Sequence, residues 1–151
     1  MAGKFDYNKD FSVKFDKIIA NVKDNMFAVF KDSVQDLIEE ADKPEKEGGK
    51  MRVDTGFLRS TGSGAINVVP RGESVGRKRE EGEIGVLPEY STYNFKSSLQ
   101  SLLLKMKPED TLYWGWSANY AQYREFFDGF LISACQNWKA YIDKNTRRLL
   151  K

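Results

Sequence analysis

Apolar residues recur in steps of three and four along the first third of the chain, at Phe15, Ile18, Ile19, Val22, Met26, Val29, Phe30, Val34, Leu37, Ile38 and Ala41. That spacing puts them along one side of a helix and predicts an amphipathic helix over residues 12–43. Ser12 suits the N-cap, and Pro44 disfavours helical backbone at Lys43 and so ends the helix. Residues 1–11 are left as an N-terminal tail. About 30 residues at a rise of 1.5 Å make a rod of roughly 45 Å, longer than a compact domain of this size is wide. Part of the stripe is therefore expected to meet another subunit.

The pattern then changes. Residues 45–50 contain no apolar side chain and two glycines, and read as a solvated connector. Two short β-type runs follow, 65–70 and 83–88, each closed by a proline, with the hydrophilic stretch 71–82 between them. They predict a hairpin with a protruding, exposed loop at 71–82. Phe95, Leu99, Leu102, Leu103 and Met106 return to helical spacing, and residues 111–117 alternate as a strand does. Asn119 fits an N-cap with Gln122 three residues on, and Asp128-Gly129 breaks the helix that it opens. The last helix is predicted over 130–150, with Trp138, Tyr141 and Ile142 inward and Arg147 and Arg148 where cations suit the helix dipole. Strands and helices are grouped rather than strictly alternating. The fold class expected is thus α+β, with a long N-terminal helix, a small antiparallel sheet and a C-terminal amphipathic helix.

Composition narrows the chemistry. The 151 residues, 40% hydrophobic and 13% aromatic, fit one domain over 1–151. Histidine is absent and Cys135 is the single cysteine. Ser-His-Asp and Cys-His pairs, an internal disulfide and a zinc site of His and Cys ligands are thereby excluded, and neither metal nor cofactor is expected. The 24 basic and 22 acidic residues leave a net charge of +2, too little for bulk attraction to nucleic acid. No run approaches the roughly 20 apolar residues that span a bilayer, and no signal-peptide core opens the chain, so synthesis in the cytoplasm is expected.

Four short features carry candidate chemistry. Asp54-Thr55-Gly56 matches the tripeptide of aspartic proteases, which needs two such loops to pair its carboxylates; the chain holds one, so only a homodimer would supply the pair. A turn role is the simpler reading, with Asp54 or Thr55 accepting backbone N–H bonds and Gly56 free to take positive φ. Gly62-Ser63-Gly64 and residues 72–78 are glycine-rich without the spacing of a phosphate loop. Arg71, Arg77, Lys78 and Arg79 form a basic cluster, but Glu80, Glu81 and Glu83 share the segment, which favours a solvated mixed-charge loop or a protein contact over DNA. Tyr113, Trp114 and Trp116 offer stacking faces for bases, although aromatic residues in a short strand more often pack in a core.

Two segments matter most. Val53-Asp54-Thr55-Gly56-Phe57-Leu58-Arg59-Ser60 and Asn119-Tyr120-Ala121-Gln122-Tyr123-Arg124-Glu125-Phe126 together resemble the paired signatures of the tail-completion, or head-to-tail joining, proteins of long-tailed bacteriophages. In that family a V-D-T-G-x-L-R-x-S turn precedes a Y-A-x-Y-x-E-[FY] helix start. Arg52 stands here where many relatives have proline. The resemblance implies a non-enzymatic virion protein of the phage neck. It would form a homo-oligomeric ring, six-fold or twelve-fold, between the head connector or stopper and the tail terminator or tail tube. DNA would pass through only as cargo, and no membrane would be involved. Within the motifs, Arg59 is expected to pair with Asp54 or Glu125, while Leu58, Tyr120 and Tyr123 pack the turn against the second helix start. The alternative is a phage-encoded nucleic-acid-associated or assembly protein, such as a minor tail component, using the basic cluster and the tryptophans.

Overall fold

The computed structural model describes residues 7–72 and 74–150, with side chains from Phe11 onward. Helix α1 spans Tyr7–Ala41. It begins before Ser12, so Ser12 is an interior residue and not the N-cap; of the expected N-terminal tail, residues 1–6 lie outside the described part and 7–11 are helical. Its 35 residues make a rod of about 52 Å. Its two halves live in different surroundings. Every residue from 11 to 26 is exposed, whereas none from 27 to 42 is.

The body is built around that second half. A turn of 3-10 helix at Glu45–Glu47 leads through a bridge between Pro44 and Met51 into α2, Phe57–Ser60. Strand β1, Gly62–Ile66, pairs antiparallel with β2, Leu112–Trp116, in the register Gly62 with Trp116 to Ile66 with Leu112. Between them come α3, Pro88–Ser91, and α4, Phe95–Lys105. After β2 the chain closes with α5, Ala121–Asp128, α6, Phe130–Gln136, and α7, Trp138–Leu149. The molecule is thus mixed helix and sheet, with the long first helix, two-stranded antiparallel sheet and C-terminal helix that the pattern predicted.

Three expectations fail locally. Residues 65–70 and 83–88 do not form a hairpin: β1 starts earlier and takes β2 as its partner, while Pro88, with its fixed φ and missing N–H, opens α3 at its first position. Asn119 does not cap α5; the N-cap is Tyr120, without a side-chain bond, and the Asn119 N–H donates to the Ser74 carbonyl (3.0 Å). The last helix is interrupted at Asn137, which separates α6 from α7.

Two apolar clusters hold the body. One joins Ala41, Met51, Phe57, Leu58, Ala118, Phe130 and Ala134; the other joins Ile38, Phe95, Leu99, Leu103 and Met106. Both take a residue from the buried half of α1, so that half is the common spine. On the same helix α7 is seated by polar contacts. The Asn145 amide donates to Ser33 Oγ (3.2 Å) and Asp36 (2.8 Å), Lys144 pairs with Asp36 (2.8 Å), and Arg148 pairs with Asp32. A buried amide meets its partners here, so it costs little.

Candidate functional site

The two motif segments, far apart in sequence, meet. The Thr61 hydroxyl accepts from the Ala118 N–H (3.2 Å), and the Thr61 carbonyl accepts from the Ser117 N–H (3.3 Å). Beside this junction the Phe57 ring lies 6.2 Å from Tyr120 and 5.4 Å, edge on, from Tyr90. Leu58 is buried in the same cluster. Gly56 turns the chain into α2 with φ of 89°, a conformation that an L side chain resists. A Cβ there would also stand 2.7 Å from the Val86 side chain. Thr55 is buried; its hydroxyl accepts from the Phe57 N–H (3.3 Å), and its carbonyl accepts from the Leu87 N–H (2.9 Å).

Arg59 does not pair with Asp54 or Glu125. Its Nε and Nη2 donate to Oδ2 of Asp42 at 3.1 and 2.9 Å, and Nε also reaches the Asp42 carbonyl (3.1 Å). Asp42 is 2% exposed. Burial pushes its carboxyl up to about 6, against the pull of the Arg59 guanidinium and, more weakly, the Trp116 indole. The remaining Oδ1 and the Trp116 Nε1 both lack a partner of standard geometry, so the indole and carboxylate approach without closing a bond. Asp42 is the site residue that the sequence reading missed; its signal was a carboxylate one position after Ala41, at the end of the apolar stripe.

The other acids have separate tasks. Glu125 reaches from α5 to the start of α6, where it accepts from the Leu131 and Ile132 N–H groups, both at 2.8 Å. It is a cap for a helix that begins one residue after its own has ended, and its charge suits that N-terminus. Asp54 is exposed and pairs with Arg79 (2.6 Å). Tyr123 does not pack against the turn, being 69% exposed, because α5 turns it away from Phe57.

The segment 71–87 is irregular but not a free loop. Ser74 bridges to Ala118, and Gly76 passes so near the rings that an added Cβ would lie 3.0 Å from Tyr120 and 3.1 Å from Phe57. Arg77 bonds Glu83 (2.9 Å) and Glu89 (2.7 Å), and Arg79 adds the carbonyls of Glu83 (3.0 Å) and Gly85 (2.9 Å) to its bond with Asp54. Bonds from Arg77 hold the Glu83 carboxyl below its ordinary range. Arg71 and Lys78 are exposed and make no ion pair among the described residues. The predicted protruding loop is instead a strap laid over the first motif. Between the strap, the motif and the start of α5 lies a cavity of about 570 Å³, walled by Val53, Phe57, Leu58 and Tyr120 and rimmed by Arg52, Arg77, Lys78, Arg79 and Arg124.

No protein-family model, curated protein or solved structure matches this chain. Its site is described by its own geometry alone. The tryptophans belong to that geometry as packing groups: Trp116 lies edge on to Phe130 (5.1 Å) and Trp114 to Phe95 (6.3 Å). Gly62-Ser63-Gly64 is not a phosphate loop but the opening of β1. A Cβ on Gly62 would sit 2.5 Å from the Tyr93 hydroxyl, and one on Gly64 2.5 Å from the Trp114 ring. Bare backbone at those positions lets aromatic side chains approach the strand closely. No helix among the described residues is long and apolar enough to cross a membrane.

Proposed function

We propose that the chain is a structural subunit of the neck of a long-tailed phage, a tail-completion protein made in the bacterial host cytoplasm. As a ring in the virion it would cap the tail's upper end and join it to the DNA-filled head. The motif pair supports this reading, and its two halves pack on one another around Phe57 and Tyr120. The observation that carries it is the bare half of α1. Phe11, Phe15, Ile18, Ile19, Val22 and Met26 are 38–66% exposed, on one face of a helical stretch whose residues 11–26 are all exposed. A continuous wet stripe of that size marks a protein contact rather than a small-molecule site.

The mechanism is binding and sealing. Partners would be like copies, the head connector or stopper, and the tail terminator or tube, and DNA would slide past without strong phosphate contacts. A net charge of +2 suits that task. The nucleic-acid alternative gains nothing from the strap, where Arg77 and Arg79 are already neutralised by Glu83, Glu89 and Asp54.

The test is negative-stain imaging of the purified protein mixed with phage tails that lack their neck. Density capping one tail end is the expected result. Tails left bare, together with DNA affinity that falls steeply with salt, would overturn the reading and favour the alternative.

A further inference from the structure

We propose that the bare arm of α1 docks on an aromatic patch formed by α5 and α6 of a second copy of this chain, in a head-to-tail contact. The proposal deepens the ring-subunit reading and rests on it for the partner being a like copy. The arm's face is defined by Phe11, Phe15, Ile18, Val22 and Met26, at steps of four, three, four and four. Continued into the body, the same face carries Val29, Ser33 and Asp36, which is where α7 is seated. Arg148 pairs with Asp32 and α7 ends at Leu149. The arm therefore extends the α7 seat beyond the reach of α7, and it changes from polar to apolar as it does so.

A matching surface lies elsewhere on the molecule. Helix α5 buries none of its residues. Tyr123, Phe126 and Phe127 share one face of it at 69–82% exposure, with Ile132 of α6 55% exposed. The Phe126 and Phe127 rings pack edge to face at 5.3 Å, so the patch is preformed. Aromatic side chains carry about 150–250 Å² each, so arm and patch each expose on the order of 600 Å² of apolar surface. A specific interface uses ~800 Å² per partner.

Two unlike surfaces of similar size on one chain fit a heterologous contact, in which every copy gives its arm and receives another. The isologous alternative, two arms pairing antiparallel about Ile18 and Ile19, uses the same surface of both copies. It also leaves the patch on α5 wet.

The experiment is light scattering on the full chain and on two variants, Ile18→Glu and Phe126→Glu, with circular dichroism to check the fold; Phe127→Glu replaces Phe126→Glu if that variant misfolds. Wild type is expected to self-associate, and each variant alone to weaken that association at least about tenfold. An equimolar mixture of the two variants should form a 1:1 complex and nothing larger, since one intact arm meets one intact patch. The proposal fails if wild type stays monomeric at every concentration. It fails equally if Phe126→Glu associates like wild type, the result of arm-to-arm pairing, or if the mixture stays monomeric. Tails left bare by a protein that passes the mixing test would sink the neck role alone. Capped tails with a failed mixing test would sink only this docking mode.

Discussion

Asp42 is buried beside Arg59, which remains about a third exposed, and this asymmetry decides what each contributes. Ionising a buried carboxyl is costly, and here that cost outweighs the attraction of Arg59, leaving the group raised to about 6. A group whose folded value lies above its ordinary 3.8 adds stability that is full below about pH 4 and lost as pH rises through about 6. Arg59 limits that loss. Arg59→Ala should therefore cost about 2–3 kcal/mol at pH 8, where the bare carboxylate is stranded. At pH 5, where Asp42 is largely protonated, the deficit should be smaller by about 1 kcal/mol or more. Urea unfolding of both proteins at the two pH values measures the difference, and the acid-sensitive bonds of Glu83 and Glu89 to Arg77, which act in the opposite direction, cancel in it. Equal deficits at pH 5 and pH 8 would show that Asp42 does not titrate in this range. Sequence alone offered Asp54 and Glu125 as partners, because both lie within the motifs; Asp42 wins through tertiary placement, which no local pattern encodes.

At the scale of elements, β1 shows where propensity and packing part. Gly-Ser-Gly is a poor strand by composition, since glycine loses more backbone entropy than any other residue and has nothing to pack. A β-branched residue would improve the strand if space allowed. It does not, because the Trp114 ring already occupies the position a Cβ would take on Gly64. Gly64→Val should thus destabilise the protein by about 2–3 kcal/mol through overpacking, read as a fall in the thermal midpoint; a rise would mean that the ring moves aside cheaply. The same feature explains the misplaced hairpin. Val68, Val69, Ile84 and Val86 are apolar enough to suggest strands, yet all four are exposed, while the true strand hides in a glycine-rich stretch whose apolar surface is lent by Trp114, Trp116 and Tyr93. Long elements with strong periodicity, α1 and α4, were legible because each residue of their stripes repeats the signal. The helix break at Asn137 was not, since Cys135, Trp138 and Tyr141 keep the helical spacing across it.

For the whole molecule, the two halves of α1 should differ in stability as sharply as they differ in burial. Residues 27–42 are enclosed by both apolar clusters and by α7, so their amides should open only with global unfolding. Residues 11–26 form a helix with no tertiary cover, and isolated helices of this length are marginal in water because nucleation is costly and each turn adds little. Docking on another copy would supply the missing cover. Hydrogen exchange followed by mass spectrometry separates the cases. At low protein concentration the amides from Val13 to Asn25 should exchange fast while those from Val29 to Ala41 stay protected. At concentrations where the protein self-associates, the first set should become protected by about tenfold or more, and the second should not change. Were the arm equally protected at every concentration, its cover would come from its own chain, and the bare stripe on which the assembly reading rests would not exist in solution.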